Sequence, residues 1–205
     1  MKKKKTILVT GGCGFIGTNL ISYLINKKFN VINIDKLSKG SNLKYKKHNK
    51  VYFIKDNLLN DKNIYKILCK YKPEYLVHLA AETHVDRSID NSKDFIKSNI
   101  LGTYNLLLAS QKYLKTNKKK FKLLLMGTDE IFGDMAIKSK KGFTEESCIN
   151  PNNPYSASKA SAVTLARSWY NTYNLPVLFI NCSNNFGPFQ FYEKLLPQQL
   201  QNCKE

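Results

Sequence analysis

Arginine is almost absent from this sequence. Of its 33 basic residues only Arg87 and Arg167 are arginines, set against 15 acidic residues and a formal net charge of +18. So basic a balance raises the question of nucleic acid, because cationic surfaces gain affinity for phosphates by releasing counterions. Base reading and bidentate phosphate contacts, however, favour the planar guanidinium fork that lysine lacks. The lysines are also spread over nearly every polar segment among many asparagines, and no nucleic-acid motif accompanies them. The expected partner is therefore no nucleic acid, and the charge suits an anionic substrate instead.

Cysteine is sparse and unpaired in pattern. Cys13, Cys69, Cys148, Cys182 and Cys203 are odd in number and scattered, with no C-x-x-C for zinc or redox work. The expectation is free thiols in a reducing compartment and no metal site. Long apolar runs are missing too. Nothing approaches the roughly 18 consecutive apolar residues of a membrane helix, and "MKKKKTILVTGGCGF" passes from a short apolar run straight into glycines with no small-residue cleavage site. A cytoplasmic protein without a membrane partner is expected.

What is present is a core: 42% of the 205 residues are hydrophobic, enough for one sizeable domain. Short β-branched runs alternate with longer helical patterns, as in strands joined by crossover helices. Strands are expected at Thr6–Thr10, Asn30–Asp35, Val51–Lys55, Tyr75–Leu79, Phe121–Met126 and Val177–Cys182, with helices at Phe15–Lys27, Asp61–Tyr71, Phe95–Thr116 and Tyr155–Tyr173. That order predicts an α/β fold, a Rossmann-type doubly wound parallel sheet. The lysine runs Lys2–Lys5 and Lys118–Lys120 read as solvated tail and loop. After Cys182 there is one short helical stretch, so the chain reads as a cofactor domain whose C-terminal substrate domain is largely missing.

Gly11, Gly14 and Gly17 in "TILVTGGCGFIGTNL" follow the first strand and open the first helix with Phe15 and Ile16. Glycines there allow a tight turn and close backbone approach, and the helix N-terminus meets a pyrophosphate. Asp35 closes the second strand, where a carboxylate accepts the ribose hydroxyls of NAD and repels the extra phosphate of NADP. Lys36 beside it pulls the other way, since an ammonium tolerates a phosphate. Asp56 and Asn57 end the third strand and are candidates to bracket the adenine. Further on, "NPYSASKASA" carries Tyr155 and Lys159 one helical turn apart. A tyrosine of ordinary pKa about 10 is a poor base, but a neighbouring ammonium and a cationic nicotinamide both favour its phenolate. Thr128 ends the fifth strand and is followed by Asp129 and Glu130, two carboxylates where a chain leaving a sheet usually places small residues.

These motifs carry a resemblance that spans nearly the whole chain. GGxGFIG with YxxxK resembles the extended short-chain dehydrogenase/reductase family. More narrowly, "HLAAETHVDRSI", "GTDEIFGD", "NPYSASKAS" and "NCSNNFGPFQFYEKLLP" resemble its nucleotide-sugar 4,6-dehydratases, above all those acting on dTDP-glucose. The resemblance implies an NAD-dependent lyase that oxidises the sugar at C4, eliminates water across C5 and C6 and returns the hydride to C6. It implies Glu130 as the C5 base, Asp129 as the acid for the C6 hydroxyl, Thr128 orienting the C4 oxygen, Tyr155 as the C4 base, and Lys159 holding the ribose and lowering the tyrosine pKa. It further implies cofactor contacts from Ala80, Ala81, Ser98 and Asn185, and substrate contacts from Thr83, Asn184, Glu193 and Lys194. His84, Asp86 and Arg87 are expected as a structural network under the site. Residues 1–190 would form the NAD-binding domain and residues 191–205 the start of a substrate-binding domain. The implied partners are a nucleotide-diphosphate sugar and a second copy of the chain, through the helices at Phe95–Thr116 and Tyr155–Tyr173. Cys13 and Phe132 depart from the family's commoner residues without removing a chemical group. A UDP-sugar 4-epimerase or decarboxylase, or a non-catalytic NAD-binding module, are the competing readings. The Asp-Glu pair discriminates, since epimerisation needs no elimination.

Overall fold

A computed structural model describes residues 5–117, 120–135 and 141–203. Lys2–Lys4 and Lys118–Lys119 of the two lysine runs lie outside the described residues. Six strands, β1 (Thr6–Thr10), β2 (Asn30–Asp35), β3 (Val51–Lys55), β4 (Tyr75–His78), β5 (Lys122–Thr128) and β6 (Val177–Cys182), form one sheet in the order β3-β2-β1-β4-β5-β6. Every pairing is parallel, with Leu8 opposite both Ile32 and Leu76, and Leu76 opposite Leu123. This is the doubly wound order, and its chain reversal between β1 and β4 opens a crevice at the strands' carboxyl ends.

Residue alternation along the strands supplies two buried faces. Leu8, Ile32, Leu76 and Leu123 face Ile64, Ile67 and Leu68 of α2 (Asp61–Tyr71) and Leu106 and Leu107 farther along the chain, while Ile7, Val9 and Val31 face Ile21, Leu24 and Ile25 of α1 (Phe15–Asn26). Each fully buried leucine contributes roughly 2 kcal/mol of transfer free energy. The ends of the elements differ from expectation in ways that bear on the site. β5 continues two residues beyond Met126, because Gly127 and Thr128 still pair with Asn181 and Cys182 of β6. A short helix, α3 (Val85–Asp90), intervenes where none was expected. The third expected helix is compound: α4 (Lys93–Phe95) passes into a π-helical stretch, Ile96–Leu101, before α5 (Gly102–Thr116). α6 (Pro154–Tyr173) and α7 (Leu195–Asn202) complete the chain.

Within the π turn Ser98 lines the crevice while Asn99 reaches α6, and such turns recur at functional sites. Asn99 bonds Ser158 of α6 at 2.8 Å and the Glu82 carbonyl at 3.0 Å. Beneath it, His78 joins Thr10 at 2.7 Å to Thr103 at 3.0 Å, so buried polar groups tie β1, β4 and α5 together. Among the described residues no helix is long and apolar enough to cross a membrane.

Candidate active site

β1 delivers the chain into Gly11, whose φ of +72° only glycine adopts without strain. A Cβ there would lie 2.6 Å from the Ala80 nitrogen, and one at Gly17 would lie 2.3 Å from the Gly11 carbonyl oxygen. The turn is thus pressed against the start of the β4–α3 loop and against α1. No side chain caps α1, so the amides of its first turn are left for an anion. Asp35 is 8% exposed and accepts from the Cys13 amide and the Leu37 amide, each at 2.8 Å. Its carboxylate therefore holds the glycine turn to the end of β2, and each oxygen retains a lone pair. Burial first, and Asp35 second, push the Cys13 thiol up to about 11, which makes it inert.

These groups line one end of a cleft of ≈ 380 Å³, within the usual range for ligand pockets. Gly11, Gly14, Phe15, Ile16 and Gly17 form its floor; Asp35, Lys36, Asp56 and Asn57 close one end; Ala80, Ala81, Glu82, Thr83 and Ser98 form the facing wall. Asp56 accepts from the Asn57 amide at 2.8 Å and from the Asn63 amide group. Lys36 sends its ammonium across the cleft to Glu82 Oε1 at 2.5 Å and Ser98 Oγ at 3.1 Å.

The other end is built from β5 and α6. Thr128 ends the strand and its hydroxyl accepts from the Glu130 amide at 3.3 Å, starting a 3-10 turn over Asp129–Phe132. Ile131, 1% exposed, anchors that turn in the core, and Gly133 ends it at φ +87°. Asn153 caps α6: its Oδ1 accepts from Ser156 N at 2.8 Å, Ser156 Oγ reciprocates, and Pro154 occupies the first turn. That start puts Tyr155 7% exposed in a T-shaped contact with the Phe95 ring, with Thr128 hydrogen-bonded to its phenol.

Burial, then the Glu130 carboxylate, push Tyr155 up to about 12, while the Thr128 hydroxyl opposes them. Lys159 lies one turn on, 8% exposed, its Nζ 2.6 Å from the Met126 carbonyl, and burial lowers it to about 8. The resident groups hold the tyrosine in its phenol form, against the expectation of a lysine-lowered pKa. Glu130 is raised, chiefly by burial and also by Asp129; the Asn153 amide and Lys194 pull it back. The two carboxylates are not equivalent. Thr128, Glu130, Tyr155 and Lys159 line the cleft, whereas Asp129 stands just outside its lining, 3.4 Å from the Thr128 hydroxyl.

Asn184, Asn185, Glu193 and Lys194 form the far rim. Lys194 Nζ reaches the Thr83 carbonyl at 3.4 Å, and Arg87 pairs with Glu193. His84 and Arg87 consequently belong to the cleft wall, not to a network beneath it, while Asp86 is exposed. The residues that sequence reasoning missed are Glu82, Asn153, Cys182 and the Ser38–Ser41 loop. Asn153 had a signal, an asparagine just before a helix-starting proline; Glu82 and the loop had none. Among the described residues no cluster of His, Cys, Asp or Glu is arranged to hold a metal ion.

A doubly wound sheet with a glycine turn at its switch point, and a tyrosine and lysine on the helix facing it, defines the short-chain dehydrogenase/reductase class. The profile of the family described as GDP-mannose 4,6 dehydratase matches residues 8–205, and the chain belongs to that family. It is 45% identical over 206 residues to the dTDP-glucose 4,6-dehydratase of Haemophilus influenzae, covering 96% of this chain and 61% of that protein. Among solved structures, the dTDP-glucose 4,6-dehydratase of Bacillus anthracis in complex with NAD superposes with a TM-score of 0.84 at 38% identity, covering 98% of this chain and 61% of that one. The Streptomyces venezuelae enzyme of the same name, with NAD and TYD bound, gives a TM-score of 0.86 at 31% identity over 97% and 62% of the two chains. The chain thus spans about three fifths of the length of these relatives.

Proposed function

We propose that the cleft binds NAD and that the protein dehydrates a nucleotide-diphosphate sugar, dTDP-glucose, to the 4-keto-6-deoxy sugar. The observation that carries this reading is the acid pair: Glu130 shares one cleft with Tyr155 and Lys159, and Asp129 adjoins it through Thr128. An epimerase working only at C4 has no use for two such carboxylates. Relatives of this name crystallised with NAD support the cofactor.

Gly11, Gly14, Phe15, Ile16 and Gly17 would hold the pyrophosphate, Asp35 the adenine ribose, and Lys159 the nicotinamide ribose. When bound, NAD supplies a hydride acceptor at C4, a hydride donor at C6 and a positive charge that favours the Tyr155 phenolate. Tyr155 takes the C4 hydroxyl proton, with Thr128 orienting that oxygen. The C4 ketone acidifies the C5 proton, which Glu130 removes; its raised pKa makes it a stronger base than an exposed glutamate. Asp129 protonates the departing C6 hydroxyl. Dividing base and acid between two carboxylates in different surroundings is a recurrent solution. Thr83, Asn184, Glu193 and Lys194 would meet the sugar diphosphate at the rim, with residues 1–190 as the NAD-binding unit and 191–205 opening the substrate-binding one.

Incubation with dTDP-glucose and NAD tests the proposal. A product lighter by one water, with no net consumption of NAD, is expected. Recovery of a C4 epimer of unchanged mass would reject it.

A further inference from the structure

Lys36 follows β2 and Glu82 follows β4, the strands on either side of β1, and nothing in the chemistry above uses them. Lys36 follows directly on Asp35, at the end of β2 where a dinucleotide's adenine ribose is read. A free ammonium at that position would welcome a ribose 2′-phosphate. This one is not free: it lies 2.5 Å from Glu82 Oε1 and 3.1 Å from Ser98 Oγ. Nor is the position of Glu82 loose, since its amide donates to Asn99 Oδ1 at 2.8 Å and its carbonyl accepts from Asn99 Nδ2 at 3.0 Å. Asn99, 1% exposed, thus fixes the backbone from which the carboxylate reaches Lys36.

The charges at this end of the cleft are Asp35, Asp56 and Glu82 against Lys36 and Lys39, an excess of one negative charge, with one of the two ammoniums already paired. A dianionic phosphate entering there meets Asp35 and must either break the Lys36–Glu82 pair or sit beside the Glu82 carboxylate. Like charges held side by side are costly. The side chains are only partly exposed, 37% for Lys36 and 27% for Glu82, so solvent screens the pair incompletely.

We infer that Glu82 is a specificity-determining residue: by engaging Lys36, it withdraws the cation that follows Asp35 in the chain and makes the site reject dinucleotides carrying a 2′-phosphate. The inference rests on the NAD reading of the cleft and adds to it a residue and a mechanism of discrimination. Neither follows from Asp35 alone.

Binding of NAD and of NADP, measured separately by calorimetry, tests it without requiring turnover. The unaltered chain binds NAD and discriminates against NADP. Glu82→Gln keeps the shape of the side chain, frees Lys36 and narrows the ratio of the two dissociation constants by roughly tenfold or more. Lys36→Gln moves the ratio the opposite way, because Glu82 is then left unpaired. In Glu82→Gln/Lys36→Gln the gain in NADP affinity is lost. Circular dichroism of each variant checks that the fold is kept. An unchanged ratio in Glu82→Gln, or a gain that survives in the double variant, overturns the inference while leaving the NAD reading intact. Failure of the unaltered chain to bind NAD overturns both.

Discussion

Glu130 and Asp129 are neighbours in one 3-10 turn, yet the turn hands them different surroundings. Glu130 looks into the cleft and is raised by burial, whereas Asp129 adjoins the Thr128 hydroxyl beside it. Glu130→Gln and Asp129→Asn should each retain C4 oxidation, seen as transient NADH absorbance, while product formation falls by at least about a hundredfold. If either leaves the dehydration rate untouched, its assigned role is wrong. Asn153 offers a finer test, since it both caps α6 and hydrogen-bonds Glu130. Aspartate caps a helix as well as asparagine does. Asn153→Asp should therefore leave the urea midpoint nearly unchanged but replace an amide donor with a repelling carboxylate. The Glu130 pKa then rises further, and the acid limb of the pH–rate profile moves to higher pH. The sequence displayed these carboxylates plainly, because two acids after a buried strand are unusual. It could not display their inequality, which arises chiefly from the burial of Glu130 and is moderated by Asn153 and Lys194, 23 and 64 residues away along the chain.

Elements with a strong local signal matched their sequence pattern closely. α2 runs Asp61–Tyr71 as the periodicity predicts, and β1, β2, β3 and β6 keep their expected bounds. The misses are places where tertiary contacts decide. β5 extends through Gly127 and Thr128 because β6 offers partners there, and a Cβ at Gly127 would lie 2.1 Å from Asn181 Oδ1, so a side chain there would require Asn181 to move. The π turn at Ile96–Leu101 has no composition of its own; Asn99 within it bridges the β4–α3 loop and α6, partners distant in sequence. Ile131 illustrates how an element serves the site, since its burial fixes the turn that presents both acids. Ile131→Ala should cost about 2–5 kcal/mol in urea unfolding and lower kcat more than it raises KM. At the glycine turn, Gly17→Ala would press a methyl into the Gly11 carbonyl, so NAD affinity should fall by more than tenfold in a calorimetric titration.

Across the molecule, the sheet's order places the groups proposed for the cofactor, from β1, β2 and β4, beside those proposed for catalysis, from β5 and α6, and this convergence accounts for a cleft drawn from most of the sequence. The same sheet buries His78, which burial and then Lys159 lower to about 3. Its folded pKa lies below the unfolded value of about 6.5, so its contribution is complete above pH 6.5 and is lost as pH falls toward 3. At pH 5 the loss from this group is about 2 kcal/mol, which denaturant unfolding at pH 7 and pH 5 would register. Leu101, Tyr104 and Leu108 with Tyr170 and Tyr173 leave an apolar face exposed on α5, α6 and the π turn. We expect a homodimer across it, seen as a dimer mass in sedimentation and reduced to a monomer by Leu108→Glu. The central claim, that this cleft carries out oxidation, elimination and reduction on one sugar, is tested most directly by following a label. With dTDP-glucose deuterated at C4 and unlabelled NAD, the account predicts a 4-keto-6-deoxy product with deuterium at C6. Deuterium remaining at C4 of a sugar that has lost no water would contradict it.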